Sequence, residues 1–191
     1  TLLQAFFDQH LPVAVGASAN TVNSYKHAFR LLLSYLYSVR QVAADQVSFQ
    51  LLNYDCLSGF LDWLEQERNC SVSTKNQRLS ALLSFSKYAQ NRNFEAASVF
   101  RSSVTRIPVK KSARKLRVSF TVPELKLLLR TPNEAKRNGK RDKTLLSLMY
   151  ASGARAQEIC NLKVKDVIFQ DSGVATIILT GKGGKARKIG I

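Results

Sequence analysis

The sequence predicts an α-helical N-terminal domain followed by an α+β domain that carries a β-hairpin. Three observations predict it. Residues 1–100 repeat apolar side chains at helical spacing between short polar loops. Residues 106–117, RIPVKKSARKLR, then hold six basic residues, one proline and no acid, a composition suited to an extended linker. Finally, Val174 to Thr180 and Ala186 to Ile191 are β-rich runs flanking Gly181-Lys182-Gly183-Gly184-Lys185, the pattern of a hairpin. The domains are expected at 1–105 and 119–191, with the linker at 106–118.

The first strong helix is expected from Thr21 to Ser38. There Val22, Tyr25, Phe29, Leu32, Leu33 and Leu36 form one stripe, with Asn20 or Ser18 as N-cap and Lys26, His27 and Arg30 on the opposite face. The second, about Tyr54 to Arg68, buries Leu57, Phe60, Leu61 and Leu64 and turns Asp62, Glu65 and Glu67 outward. The third runs from near Ser73 to about Gln90, burying Leu79, Leu82, Leu83 and Ala89. It leaves Thr74, Gln77, Arg78, Ser80, Ser84 and Lys87 exposed, small and polar enough to approach a groove.

Beyond the linker, Thr121 with Glu124 reads as a capping box opening a short helix that ends before Pro132. PNEAKRNGKRD reads as a charged loop. Thr144 to Ser152 reads as a helix apolar on nearly all sides, hence buried, stopping at Gly153.

The formal charge is +16, and it is unevenly placed: residues 1–105 hold 9 basic and 7 acidic groups, residues 106–191 hold 20 and 6. Such a balance calls for a polyanionic partner. Three cysteines without a CxxC or Cys/His spacing are expected as reduced thiols, with no metal site. No stretch approaches the ~18 apolar residues of a membrane helix, so a cytoplasmic, nucleoid-associated location is expected. The start at Thr1 and the lone Met149 give the look of a fragment of a longer protein.

Two residues invite chemistry. Arg155 follows an apolar helix and a glycine, so its guanidinium is expected near the domain interior, offering a planar fork to two phosphate oxygens, with Glu158 placed to orient it. Lys182, at a glycine-flanked hairpin tip, is placed to give a proton to a leaving oxygen. Taken alone, the same spacings are explained more simply by a structural ion pair and a solvated turn lysine. GKGGK is not a phosphate-binding P-loop: Lys182 is followed by Gly183, Lys185 by Ala186, and a strand comes next where a helix is required. No nucleotide or other cofactor is expected.

The stretch Tyr150-Ala151-Ser152-Gly153-Ala154-Arg155-Ala156-Gln157-Glu158-Ile159, with Leu162, Asp166 and ILTGKGGKARKIGI, resembles the first arginine box and following hairpin of the tyrosine site-specific recombinases, the integrases of phages and mobile elements. The helix from Thr21 and the helix Ser73-Thr74-Lys75-Asn76-Gln77-Arg78 resemble that family's core-binding domain, so the likeness covers the whole chain. The resemblance implies a SAM-like helical core-binding bundle and an incomplete α+β catalytic domain that together clamp double-stranded DNA. It also implies strand exchange through a 3′-phosphotyrosine without metal or nucleotide. Arg155 then matches the first arginine, Glu158 its acidic neighbour and Lys182 the general acid. DNA contacts are expected from Lys26, Arg30, Thr74, Lys75, Gln77 and Arg78, with Lys110, Lys111, Arg114 and Lys115 adding phosphate attraction.

The family usually carries a bulkier residue where Ala154 stands. The six tyrosines, at 25, 35, 37, 54, 88 and 150, all precede Lys182, and none matches the nucleophile. The 191 residues are therefore expected to bind DNA as a monomer without completing strand transfer, the longer parent assembling on DNA as a homotetramer. A non-catalytic DNA-binding regulator of the same fold and a basic RNA-associated protein are the competing readings.

Overall fold

A computed structural model describes residues 1–112, 119–170 and 173–191, with the backbone alone at Lys182. The chain divides into two compact units, Thr1–Lys115 and Leu116–Ile191.

The first unit is helical. Helix α1 (Leu2–Ala5) continues directly into a π-helical stretch, Phe6–Ala14, a segment not anticipated from the sequence pattern. Helix α2 (Ala19–Arg40) starts at Ser18, whose hydroxyl accepts the Thr21 N–H, and ends at Gln41 in the left-handed conformation. Its apolar stripe is wider than expected: Ala28, Leu31 and Tyr35 are buried beside Phe29, Leu32 and Leu36, while Leu33 is only half-buried. Helix α3 (Tyr54–Gln66) is capped by Asn53 and buries all four expected residues, Leu57, Phe60, Leu61 and Leu64. Helix α4 (Val72–Arg92) is capped by Ser71, and α5 (Phe94–Arg106) by Asn93. The α5 helix went unrecognised because its apolar residues are few and interspersed with serines. It extends the bundle to Arg106, the first residue expected in the linker.

One core joins these helices, with Phe85 of α4 at its hub. Its ring lies 5.2 Å from Phe6, 5.1 Å from Phe29 and 5.9 Å from Phe100, so the N-terminal segment, α2 and α5 all pack on one α4 residue.

The second unit begins with α6 (Val122–Arg130). The Glu124 carboxylate accepts from the Thr121 N–H at 2.7 Å and from its hydroxyl at 2.8 Å, closing the start of the helix. Helix α7 spans Arg137–Ser152, so the second part of the supposed charged loop is helical. Lysine and arginine are good helix formers, and this turn stays solvated. Nor is the apolar part of α7 buried all round: Leu145 is 37% and Tyr150 64% exposed, because the short α6, α8 and the sheet cover one side only. Gly153, at φ 57°, ends α7 in the left-handed region that favours glycine.

Helix α8 (Ala156–Cys160) leads to a three-stranded antiparallel sheet in the order β1 (Val167–Phe169), β2 (Ala175–Thr180), β3 (Ala186–Gly190). The β2–β3 hairpin matches expectation; β1 is additional. Ile177 and Leu179 of β2 are fully buried and pack with Ala154 and Ile159, backed by Leu148, Met149, Leu162 and Ile189. Ala154 thus sits in the small core immediately before Arg155.

Candidate functional site

On the helical unit, α2 and α4 are cross-braced by side chains expected at DNA. Gln77 Nε2 donates to Ser24 Oγ at 2.9 Å, and Arg78 Nη1 to the Ser24 carbonyl at 3.3 Å. The Arg78 Nε is buried and has no partner among the described residues. Arg30 and Lys26 are exposed on α2; Lys26 lies over the Phe7 ring at 5.7 Å and 3.7 Å from Asp8. His27 is held below its ordinary pKa, by desolvation first and then by the positive charges of Arg78, Arg30 and Arg68. Those four residues therefore share one electropositive region. His27 was expected on the polar face of α2 but not at DNA, and Arg68, which lies beyond α3, was not among the expected contacts.

The remaining candidates are placed differently. Thr74 lies in the first turn of α4, its hydroxyl 3.0 Å from the capping Ser71 hydroxyl. Lys75, expected at DNA, is 6% exposed and gives hydrogen bonds to Asp62 at 3.0 Å and Glu65 at 2.9 Å. The amine expected at DNA is thus engaged by two carboxylates of α3. Burial opposes the charged form of Lys75, but the two carboxylates outweigh it and hold the amine above its ordinary pKa.

Lys110 also donates to Glu65, at 2.7 Å, and its carbonyl accepts from Asn76 Nδ2 at 2.8 Å. The two lysines bring the Glu65 carboxyl down to about 2. The acidic face of α3 is thus partly occupied by cations of its own unit. Lys111 is exposed. Arg114 and Lys115 lie outside the described residues.

In the second unit the expected burial is reversed. Arg155 is the N-cap of α8 and its side chain is 75% exposed, whereas Glu158 is 4% exposed. A guanidinium can reach past the small core to solvent, while the shorter glutamate, at the third position of α8, folds back over the helix start. There the Glu158 Oε2 accepts the Arg155 backbone N–H at 2.9 Å, and Oε1 accepts Arg155 Nη1 at 2.9 Å.

A residue missed from sequence completes the cluster. Arg187 on β3 donates Nη1 to Oε1 at 3.0 Å and Nη2 to Oε2 at 2.7 Å. Its signal was available: β3 alternates, placing Arg187 with Ile189 on the inward face opposite the buried Leu179. An arginine facing inward requires an acid. Arg187 foremost, with the Arg155 N–H, holds the Glu158 carboxyl at about 2, and the same contact raises Arg187.

The hairpin turn closes on this carboxylate. A methyl group on Gly181 would stand 2.9 Å from Glu158 Oε1 and push against the hydrogen-bonded carboxylate. Gly183 and Gly184, at φ 78° and 74°, supply the left-handed turn that returns the chain to β3, with the Gly181 N–H donating to the Lys185 carbonyl at 2.8 Å. Lys182 sits in this turn. The unit therefore presents an exposed guanidinium beside a fixed turn, an arrangement able to meet a tetrahedral oxyanion. Among the described residues, no group of His, Cys, Asp or Glu is placed to hold a metal ion, and no helix is long and apolar enough to cross a membrane.

Two family models match the chain. Residues 4–93 match the phage integrase N-terminal SAM-like domain, and residues 119–191 match the phage integrase family model. A putative integrase/recombinase of Sinorhizobium fredii, y4rC, is 33% identical over 186 residues, covering 97% of this chain and 55% of the relative. The tyrosine recombinase XerD of Staphylococcus epidermidis is 27% identical, covering 98% of this chain and 59% of the relative. The chain thus spans between half and two thirds of the length of these relatives. In fold it is similar to the XerH site-specific recombinase bound to palindromic difH substrate, with a TM-score of 0.63 and 24% identity over 93% of this chain and 50% of that one. With both domain models matched in order along one chain, and the arginine box lying within the second, the protein belongs to the phage integrase family of tyrosine recombinases.

Proposed function

We propose that the protein acts in site-specific recombination of double-stranded DNA, in the integration or excision of a mobile element through a 3′-phosphotyrosine intermediate. The helical unit binds the duplex with Lys26, Arg30, Gln77 and Arg78, assisted by His27, Arg68 and Lys111. Arg155 meets the scissile phosphate, Glu158 orients it, and Lys182 protonates the departing 5′ oxygen. The observation that carries this reading is the exposed Arg155 guanidinium, one of whose terminal nitrogens is tied to a buried carboxylate. Such a donor is preorganised: it need not be gathered from solvent when charge develops on the phosphate. Covalent attachment to a tyrosine would conserve the phosphodiester energy for religation.

Residues 1–191 carry no tyrosine after Lys182. In this reading the tyrosine nucleophile and the contacts that build a tetramer on DNA are not among these residues. Duplex DNA is the partner this reading assigns, and the net charge of +16 supports a polyanion.

The test uses the protein encoded by the complete reading frame and a duplex carrying its recombination site. Arg155→Ala is expected to abolish cleavage while leaving duplex binding nearly unchanged; retained cleavage removes Arg155 from the site. Preference for structured RNA over an inverted-repeat duplex would instead support the RNA-associated reading.

A further inference from the structure

Glu158 accepts four hydrogen bonds, two at each oxygen, and Arg187 supplies one to each. Arg155 accordingly commits a single guanidinium N–H to the carboxylate. Of the five donors a guanidinium carries, the others remain available. The charges matter as much as the donors. Arg155, Arg187 and Glu158 together carry a net single positive charge, and without Arg187 the buried carboxylate would cancel Arg155. An unshared carboxylate at this depth would also draw both donors of one edge of Arg155 onto itself, since a bidentate pair is its best available arrangement.

We propose that Arg187 is a positioning residue: its fork on both oxygens of Glu158 neutralises that carboxylate, so that Arg155 keeps an uncancelled charge and free donors for a phosphate. The inference rests on the reading of Arg155 as the phosphate ligand. Arg187 itself is turned inward on β3, with its side chain 40% exposed and both terminal nitrogens engaged by Glu158, so it acts through Arg155. The same carboxylate abuts Gly181, so β3, the start of α8 and the hairpin turn meet at one point.

The experiment uses the 191-residue chain and inorganic sulfate as a tetrahedral dianion, followed at the Arg155 Nε–Hε resonance. Wild type is expected to respond, and Arg187→Gln to bind about tenfold more weakly, the scale of one nearby charge in partly solvated surroundings. The double variant Glu158→Gln with Arg187→Gln removes one charge of each sign while leaving an amide oxygen that can still accept from Arg155, and is expected to bind more tightly than Arg187→Gln alone. A purely structural role for Arg187 predicts no such recovery. Undiminished sulfate binding in Arg187→Gln, or a double variant as weak as the single one, overturns the inference while leaving the phosphate reading intact. No response at Arg155 in wild type overturns both. Should Arg187→Gln fail to give a native amide spectrum, Arg187→Lys serves in its place. A lysine retains charge but cannot fork, so weaker binding supports the inference and equal binding overturns it.

Discussion

Replacing Lys75 by methionine separates a structural cation from a DNA-binding one. The Lys75 side chain is 8% exposed and lies 2.9 and 3.0 Å from two carboxylates, whose own side chains are 34% and 53% exposed. Removing one member of a fully buried pair costs about 3–5 kcal/mol, and an exposed pair contributes about 0.2–1 kcal/mol. Here the orphaned carboxylates can rehydrate, and Glu65 keeps Lys110 at 2.7 Å. A loss of about 1–2 kcal/mol between those limits is expected. Urea unfolding of the helical unit should then shift its midpoint downward by roughly 1 M, given a slope of about 1–3 kcal/mol per molar for a small protein. Duplex binding measured against salt should keep its slope, since the Lys75 amine is already engaged by Asp62 and Glu65. Arg30→Ala should lower the slope by about 0.9, the value of one phosphate contact. A Lys75→Met protein of unchanged stability whose slope falls by about 0.9 would refute the reasoning and return Lys75 to the DNA interface.

Three further outcomes are expected. Glu65 and Glu158 both titrate near 2, below the ordinary glutamate value of about 4.3; their stabilisation is therefore complete above about pH 5 and lost as pH falls toward 2. Melting curves across that range should show the loss, and Glu158→Gln should be less stable at neutral pH with a flatter acid profile. His27, held below 6.5 by desolvation and by neighbouring arginines, is expected to gain a proton more readily beside a DNA phosphate. Duplex affinity should therefore rise as pH falls, and a profile unchanged by His27→Gln would exclude this. Phe60 is fully buried, with its ring 5.8 Å from Tyr35 and 6.3 Å from Trp63; Phe60→Ala should cost the helical unit about 3–5 kcal/mol in calorimetry or urea unfolding.

What the sequence by itself determined was local and periodic. The faces of α2, α3 and α4, the caps at Ser18 and Thr121, the stop at Gly153 and the hairpin around Gly181–Lys185 each follow from neighbouring residues, because capping, amphipathic spacing and left-handed glycines act over a few positions. The pairing of Arg155 with Glu158 was legible for the same reason: the two are three residues apart on one helix start. Periodicity tells which face a residue occupies but not what meets it there. Only the tertiary structure decided that Lys75 faces Asp62 and Glu65, that Arg78 braces Ser24 across the bundle, and that Arg68 joins His27 and Arg30. Packing also reversed the expected burial at the arginine box, placing Glu158 inside and Arg155 outside, because Arg187 arrives from a strand 29 residues later to satisfy the carboxylate. A buried charge is tolerated only where an opposite charge reaches it, and chain folding, not spacing along the chain, brings that partner.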